Sequence, residues 1–124
     1  MLKVYAYSGC STCRNALKWL RSRRIEFKEV PIRDTPPTRN ELGAMLAAHG
    51  GEWKRLFNTS GQDYRALGIK DRLPTMTDEE AIDLLAENGN LIKRPFVIEA
   101  DRGITLVGFK PDQWEARFGA PGKR

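Results

Sequence analysis

Hydrophobic and polar positions alternate in two ways along the first third of the chain. Residues 2–7 place an apolar side chain at every second position, and this period predicts a β-strand. Residues 11–23 instead place apolar side chains three and four positions apart, which predicts an amphipathic helix. Residues 25–32 return to the period of two. A strand–helix–strand unit of this length usually makes its two strands parallel neighbours.

The middle of the chain, residues 38–88, carries helix signals and no strand signal. Thr38 and Thr77 each precede a glutamate by three residues, which is the spacing of a capping box at a helix start. Ser60 is the predicted N-cap of a further helix that stops at a glycine, and residues 53–57 predict a short helix. We therefore expect a helical insertion at about 38–88.

Strand periodicity returns near the C-terminus. Residues 96–99 and 104–107 predict a hairpin, and Pro111 suits the first turn of a final helix. The last residues, 119–124, predict a frayed tail. The order is therefore strand–helix–strand, helical insertion, strand–strand–helix, which favours a single α/β domain over residues 1–124.

Size and composition are those of an ordinary globular domain. The chain has 124 residues, of which 40% are hydrophobic and 30% charged, and this length supports one hydrophobic core. It lacks a run of roughly 20 apolar residues that could cross a bilayer, and its start lacks the regions of a signal peptide. We expect a cytoplasmic protein without a membrane partner. With only two cysteines, close together, a disulfide-stapled secreted scaffold is not expected.

Positive charge is concentrated in one segment of the chain. The net charge is +5, and residues 14–28 contain six basic side chains against one acidic side chain. A solvated helix face explains such a run. An acidic partner, glutathione or nucleic acid would also be attracted to it. We expect no direct contact with nucleic acid.

The two cysteines, Cys10 and Cys13, lie where the first strand meets the first helix. Unpaired N–H groups and the positive end of the dipole at a helix start stabilise a thiolate over a thiol, and Arg14 adds a positive charge. Cys10 lies at the start, whereas Cys13 lies one turn further in, on the apolar face. This asymmetry predicts that Cys10 attacks, that Cys13 resolves the mixed disulfide, and that the two form a reversible disulfide.

Other interpretations of the pair are open at this point. A structural zinc site needs four ligands, and the only histidine, His49, leaves it one short, so no metal is expected. Two unreactive core cysteines are an alternative that suits Cys13 better than Cys10. The C-x-x-C spacing at a helix start favours thioredoxin-like redox chemistry. In such folds a cis proline before a strand faces the active cysteine, and Arg94 and Pro95 occupy this place, where the arginine would bind a thiolate or anionic oxygens.

Several stretches of the sequence resemble a known family. The segments YSGCSTCRNALKWL, LFNTSGQDYRALGI, LIKRPFVI and LVGF, together with the helical insertion, resemble the arsenate reductase-related (ArsC/Spx) bacterial proteins. These include glutaredoxin-coupled arsenate reductases and Spx-type regulators. The resemblance covers residues 2–118. It implies a thioredoxin-like core with an inserted helical subdomain, in which Cys10 matches the catalytic cysteine and Arg94 the arginine of the R-P motif.

The sequence departs from the reductases at two positions. Two further arginines surround the oxyanion in those enzymes, and here Asn58 and Phe109 match their places, with Lys110 beside the second. We therefore expect arsenate to be a poor substrate. The C-x-x-C pair resembles more closely the Spx-type proteins, which sense thiol stress through it and bind RNA polymerase. Gly50 and Gly51 lie near the glycine that Spx-type proteins use at that contact.

These features predict a cytoplasmic thiol–disulfide oxidoreductase of the arsenate reductase-related family. The alternatives are an Spx-like redox-switched regulator that binds RNA polymerase and a glutaredoxin-coupled arsenate reductase. Electrons are expected from glutathione, glutaredoxin or thioredoxin, with no cofactor, and the chain is expected to be a monomer. Cys10, Cys13 and Arg94 are the expected catalytic residues. Five further residues are expected to contact the substrate: Ser11, Arg14, Asn58, Pro95 and Lys110.

Overall fold

A computed structural model describes residues 1–119, and these contain one four-stranded sheet. Its strands are β1 (Leu2–Ala6), β2 (Phe27–Pro31), β3 (Phe96–Glu99) and β4 (Ile104–Val107). They lie in the order β2–β1–β3–β4. β1 and β2 are parallel, whereas β3 is antiparallel to both of its neighbours. The predicted parallel pair, the C-terminal hairpin and the thioredoxin-like α/β class are confirmed.

Six α-helices lie in the described part of the chain. They are α1 (Ser11–Ser22), α2 (Arg39–Ala48), α3 (Gln62–Ala66), α4 (Ile69–Arg72), α5 (Asp78–Glu87) and α6 (Pro111–Phe118). Four short 3₁₀ helices lie in the connections between helices and strands: Trp53–Arg55, Leu73–Thr75, Gly89–Leu91 and Ala100–Arg102. The helical character predicted for residues 38–88 is therefore confirmed, and the short helix expected over 53–57 is a 3₁₀ turn.

The start of β2 was predicted two residues too early. Arg24 has a positive φ of 57°, and the Ile25 N–H donates to the Leu20 carbonyl at 3.1 Å. This backbone turn closes α1 and uses the donor that a strand would need, so β2 begins only at Phe27.

The N-cap predicted at Ser60 is wrong. Gly61 is the N-cap of α3, without a side-chain cap bond, and its N–H donates to the Asn58 carbonyl at 3.0 Å. A Cβ on Gly61 would lie 2.8 Å from Nδ2 of Asn58. The tight turn after Asn58 therefore takes the place of a serine cap, and it holds the Asn58 side chain against the backbone.

Helices cover both faces of the sheet. β1 directs alternate residues to opposite sides: Leu2, Val4 and Ala6 pack in the cluster with α1 and α6, while Tyr5 packs in the cluster with α2 and α5. Burial on both faces explains why Tyr5, at a polar-looking position of β1, is only 3% exposed. The C-terminal end of β1 is consequently a rigid platform for the loop that follows it.

Glu41 joins the insertion to the sheet. In the capping box of α2 the Glu41 carboxylate accepts the Thr38 N–H at 2.9 Å, and it also accepts the Tyr5 hydroxyl at 2.6 Å and the Lys3 ammonium at 3.1 Å. Burial alone would raise the pKa of Glu41, but these hydrogen bonds outweigh it and lower the pKa. Burial and the neighbouring carboxylate raise the pKa of Tyr5.

No helix within residues 1–119 is both long and apolar enough to cross a membrane. Of the predicted frayed tail, only Gly119 belongs to the part of the chain that the structure describes, and residues 120–124 lie outside it.

Candidate active site

A tight turn carries Cys10 from the end of β1 to the start of α1. The Cys10 N–H donates to the Tyr7 carbonyl at 3.0 Å, and Cys10 becomes the N-cap of the helix with φ −96° and ψ 117°. A Cβ on Gly9 would come within 2.7 Å of the Tyr7 ring. The glycine therefore lets the ring lie directly under the turn, and the pair of residues fixes where Cys10 emerges.

The sulfur of Cys10 serves as the helix cap. Its Sγ accepts the Cys13 N–H at 3.3 Å, and the first turn of α1 contains no acidic residue. A thiolate at this position would be stabilised by the N–H and by the positive end of the helix dipole, with no nearby carboxylate on the helix to oppose it. The sequence-based placement of Cys10 at the helix start is confirmed.

Cys13 lies one turn into α1 and has no exposed surface, whereas Cys10 is half-buried. The pKa of Cys13 is raised to about 12: burial is the largest cause, the Cys10 side chain adds to it, and the Tyr7 backbone and Arg94 oppose the shift. Both cysteines are free. The predicted difference in exposure between the two thiols is confirmed, while the division of catalytic labour stays a prediction.

Arg94 reaches the same site from the start of β3. The Arg94–Pro95 peptide bond is cis, as expected, and the Pro95 carbonyl accepts the Gly108 N–H at 2.9 Å. The guanidinium carbon of Arg94 lies 5.2 Å from the centroid of the Tyr7 ring. Its Nη1 is buried and has no hydrogen-bond partner within residues 1–119, so this nitrogen retains a free donor for an anion.

A pocket of about 350 Å³ opens in front of Cys10. It is lined by Cys10, Thr12, Asn58, Lys93, Arg94, Gly108, Phe109 and Lys110. Three of these carry positive charge and none is a carboxylate. The pocket therefore favours an anionic ligand next to the sulfur.

Four of the eight predicted site residues line this pocket, and four do not. Cys10, Arg94, Asn58 and Lys110 meet there. Cys13 is buried one turn further into α1, and Pro95 is buried directly before β3. Ser11 is exposed at the first position of α1. Arg14 is exposed too, and its Nη1 donates to the Ser8 carbonyl at 2.8 Å, so it braces the turn from outside the pocket.

Three pocket residues, Thr12, Lys93 and Gly108, were missed by the sequence reasoning. Each is a neighbour of a residue that was found, because Thr12 lies inside the C-x-x-C motif and Lys93 precedes Arg94. Lys93 also contacts the turn at Gly108, where a Cβ would lie 3.0 Å from its Cε. Sequence proximity to a motif was the available signal.

Phe109 closes one side of the pocket with an aromatic wall. Its ring meets that of Trp114 edge-on at a centroid distance of 4.8 Å and that of Trp19 at 6.3 Å. The Phe109 side chain is thus part of the aromatic layer between α1 and α6. Within the described range, no group of three histidine, cysteine or acidic residues could hold a metal ion.

The model of the ArsC family matches residues 5–117 of the chain. The chain belongs to the ArsC family. A crystal structure of an ArsC family related protein from Bacteroides fragilis superimposes with a TM-score of 0.85 at 46% identity, covering 94% of this chain and 96% of that one. The family assignment therefore rests on both sequence and fold, and the predicted resemblance is confirmed.

ArsC-family relatives of the chain include both enzymes and regulators. The uncharacterised protein YusI of Bacillus subtilis (strain 168) is 43% identical, covering 94% of this chain and 98% of YusI. An arsenate reductase of Rhizobium meliloti (strain 1021) is 38% identical, covering 77% of this chain and 66% of the enzyme. The global transcriptional regulator Spx of Enterococcus faecalis (strain ATCC 700802 / V583) is 32% identical, covering 91% and 83%. Family membership alone therefore does not fix the activity.

Proposed function

We propose that this ArsC-family protein is a thiol–disulfide oxidoreductase in which Cys10 is the nucleophile and Cys13 the resolving thiol. The observation that carries the proposal is the cap of α1: Cys10 Sγ accepts a helix N–H at 3.3 Å and faces a pocket with three cationic side chains. A half-buried sulfur in an electropositive pocket is the arrangement of a reactive cysteine.

In the first step the Cys10 thiolate attacks one sulfur of a substrate disulfide R–S–S–R′. A bond forms between Cys10 Sγ and the sulfur of R, the S–S bond breaks, and R′–S⁻ leaves with the electron pair. Arg94 and the two lysines of the pocket stabilise the negative charge as it moves. The product is a mixed disulfide, in which Cys10 no longer carries a charge.

In the second step Cys13 releases the bound group. Part of the raised pKa of Cys13 comes from the Cys10 side chain, and this contribution is lost once Cys10 is in the mixed disulfide. The departing R′–S⁻ accepts the Cys13 proton, and the Cys13 sulfur attacks Cys10 Sγ to release R–S⁻. The cysteine pair ends as a disulfide and has given two electrons to the substrate, and glutathione, glutaredoxin or thioredoxin restores the dithiol.

The test is to trap the mixed disulfide. We expect Cys13→Ser to accumulate a glutathione adduct on Cys10 when treated with glutathione disulfide, because no second thiol can resolve it. The wild type should lose two hydrogens and retain no adduct, and the control Cys10→Ser should gain none. Redox titration of the wild type should give a potential between roughly −270 and −120 mV. Wild-type protein that forms only intermolecular dimers or stable adducts would contradict the proposal.

A second candidate is a redox-switched regulator that binds RNA polymerase. The Spx relative supports it, as does the exposed basic stripe of Arg14, Lys18 and Arg21 on α1. Gly50 and Gly51 are also exposed, with φ of 69° and 76°, at the end of α2. Co-purification with RNA polymerase, together with no turnover in a coupled glutathione assay, would favour this candidate over the enzyme.

Arsenate reduction is the third candidate, supported by the Rhizobium meliloti relative. We expect arsenate to be a poor substrate, because Asn58 and the packed Phe109 supply no charge to the pocket, and an ammonium at Lys110 does not reproduce a bidentate guanidinium contact. The measurement is a steady-state assay with arsenate, glutathione and glutaredoxin. A kcat/KM of about 10⁴ M⁻¹s⁻¹ or more would establish an arsenate reductase instead.

A further inference from the structure

A second cavity lies beside the Cys10 pocket. It measures about 350 Å³ and is lined by Tyr7, Arg33, Asn58, Gly61, Gln62, Asp63, Asn90 and Arg94. We call it the Tyr7 chamber. Asn58 and Arg94 line both cavities, so a ligand whose sulfur reaches Cys10 can place another part of itself in the chamber. Small-ligand sites of this size are common in proteins.

Two guanidinium groups meet at the Tyr7 ring. The guanidinium carbon of Arg33 lies 4.6 Å from the ring centroid and that of Arg94 lies 5.2 Å from it. Arg33 makes no hydrogen bond or ion pair with any residue between 1 and 119. Both groups therefore keep N–H donors for a ligand, and a carboxylate is the ligand that a planar guanidinium fork fits best.

The chamber also contains one fixed negative charge. Asp63 Oδ2 accepts hydrogen bonds from Nδ2 of Asn88 at 3.0 Å and from Nδ2 of Asn90 at 3.3 Å. The other oxygen, Oδ1, has no partner in the described part of the chain. The two amides thus hold the carboxylate in place while one oxygen remains available to accept from an ammonium group.

The backbone around the chamber is closely packed. A Cβ on Gly9 would clash with the Tyr7 ring, and one on Gly61 would clash with the Asn58 side chain. A Cβ on Gly89 would collide with the Ile32 carbonyl, at the end of β2. Gly9 and Gly61 permit tight local turns, and Gly89 lets its segment lie directly against the residues that follow β2, so the charged side chains are presented by a defined wall.

We infer that the Tyr7 chamber binds the α-amino acid group of a small thiol or disulfide whose sulfur reacts at Cys10. Arg33 and Arg94 hold the carboxylate, and Asp63 holds the ammonium. Both signs of charge are needed: a ligand with only a carboxylate is repelled by Asp63, and one with only an amine is repelled by the guanidinium groups. The inference rests on the proposed thiol–disulfide exchange and adds the substrate class to it.

The bond changes are those already given, with R carrying the amino acid group. Cys10 Sγ attacks the sulfur of R, the S–S bond breaks and R′–S⁻ leaves. The chamber contributes by orienting R before the attack, so a disulfide whose charges fit the chamber reacts faster with Cys10.

The experiment compares disulfides that carry different charged groups. Reduced protein is mixed with cystine or glutathione disulfide (both charges), dithiodipropionate (carboxylate only), cystamine (ammonium only) or hydroxyethyl disulfide (neither). Each rate constant is divided by that of free dithiothreitol with the same disulfide, which removes differences in leaving group. For the wild type we expect cystine or glutathione disulfide to exceed the single-charge disulfides by about tenfold, the effect of one charge-assisted hydrogen bond.

Two variants test the two charges separately. Asp63→Asn should remove the advantage over dithiodipropionate, and Arg33→Gln should remove the advantage over cystamine. Asp71→Asn and Arg72→Gln make the same charge changes on exposed positions of α4 and should leave the preference intact. If Asp63→Asn fails to fold, Arg33→Gln still decides, because Arg33 is exposed and its guanidinium has no hydrogen-bond or ion-pair partner within residues 1–119.

Each outcome has one meaning. A preference for glutathione disulfide over cystine identifies a γ-glutamyl peptide as the source of the group, and the reverse identifies free cysteine. Equal normalised rates for all five disulfides would overturn the chamber inference and leave the oxidoreductase standing. No reaction with any disulfide, hydroxyethyl disulfide included, would overturn the proposed function itself. A preference unchanged in both variants would place the recognition elsewhere and overturn the inference.

Discussion

Helices α1 and α5 both begin with an N-cap side chain that accepts the N–H of the third helical residue, but they differ in the capping atom and in the charge of the first turn. At α5 the Thr77 hydroxyl accepts the Glu80 N–H at 3.1 Å, the Glu80 carboxylate accepts the Thr77 N–H at 3.5 Å, and three acidic residues occupy the first turn. At α1 a cysteine sulfur accepts the corresponding N–H at 3.3 Å, and the first turn has no acidic residue. Both helix starts are satisfied, but only one leaves the positive end of its dipole unopposed.

The difference shows what each helix start contributes. A threonine with a reciprocal glutamate is a strong cap, whereas sulfur is a weak hydrogen-bond acceptor. The capping boxes of α2 and α5 therefore stabilise the folded insertion. At α1 a weaker cap places a nucleophilic sulfur at the positive end of the helix dipole, with no acidic residue in the first turn. Changing one helix start at a time should separate stability from reactivity.

The largest effect is expected for Cys10→Ser. Thiol–disulfide exchange with hydroxyethyl disulfide should fall to the uncatalysed background, because the nucleophilic sulfur is gone. The free energy of unfolding should be unchanged or higher by up to about 1 kcal/mol, since serine is a preferred N-cap. Exchange is followed by released thiol, and stability by urea denaturation.

Cys10→Ala is the matched control for that result. It should lose exchange equally and should be less stable than the serine variant, because it has no cap acceptor. Residual exchange in the serine variant would move the nucleophile to Cys13 and would contradict the comparison.

The second effect concerns the buried thiol of α1. Burial raises the pKa of Cys13 to about 12 from an ordinary 9.0, so below pH 9 the folded protein should carry roughly a thousandfold less thiolate at Cys13 than a free thiol does. Iodoacetamide at pH 8 should label Cys10 alone, as read by mass spectrometry. Equal labelling of both cysteines in folded protein would contradict the buried position.

The same shift predicts how stability depends on pH. Above pH 9 the unfolded chain releases the Cys13 proton while the folded chain retains it, so this contribution is complete below about pH 9 and is lost as the pH rises towards 12. Between pH 8 and 10.5 the wild type should lose more stability than Cys13→Ala, which has no such proton.

The sequence predicted these helix starts well because a cap is a local feature. Thr38 and Thr77 are recognisable as N-caps because a glutamate follows each of them three positions later. Cys10 is recognisable because it directly precedes an amphipathic run. The strands of the sheet and their order of appearance followed from hydrophobic period in the same way. Ser60 failed because a suitable residue type stood one position from the true cap, where a backbone turn at Asn58 decided the outcome.

The Tyr7 chamber was predicted only in part, through Asn58 and Arg94, because its walls come from distant segments. Arg33 follows β2, Asp63 lies on α3 and Arg94 precedes β3, and no spacing in the sequence relates the three. Glu41 shows the same limit: its capping role was visible, but its hydrogen bond to Tyr5, 36 residues away, was not. Such long-range side-chain contacts depend on how the helical insertion packs against the sheet, and the hydrophobic periodicity of the sequence does not specify this packing.

The third prediction separates the arginine of the site from the helix start. Arg94→Gln should slow exchange with hydroxyethyl disulfide, because Arg94 stabilises the thiolate charge, and should slow exchange with glutathione disulfide by about a further tenfold, through loss of one charge-assisted contact to the substrate. Stopped-flow kinetics of both reactions gives the ratio. Arg72→Gln, which removes an exposed arginine on α4, should match the wild type. An equal loss with both disulfides would assign Arg94 to the thiolate alone.

The fourth prediction is the converse of the first: stability should fall while thiol–disulfide exchange is retained. Thr77→Ala should lower the free energy of unfolding by about 1 kcal/mol, because it removes the cap of α5, and exchange at Cys10 should be unaffected. Urea denaturation and the hydroxyethyl disulfide assay measure the two. Thr35→Ala, at an exposed position outside any helix, controls for loss of a threonine. A fall in exchange rate at constant folding would couple the insertion to the active site and break the comparison.

The smallest effect should come from giving α1 the acidic first turn that α5 has. Ser11→Glu places a carboxylate at the first helical position, where it interacts favourably with the dipole by about 0.3–1 kcal/mol. The same positive end then stabilises the Cys10 thiolate less, so alkylation of Cys10 at pH 7 should slow by roughly two- to fivefold, the equivalent of that energy. Ser11→Gln has the same shape without the charge and should react like the wild type. Because the effect is electrostatic at an exposed position, it should shrink in about 1 M salt, where the Debye length falls to about 3 Å. A Glu variant that reacts as fast as the Gln variant at low salt would mean that the sulfur does not draw on the helix dipole, and that the missing acid of α1 has no part in its reactivity.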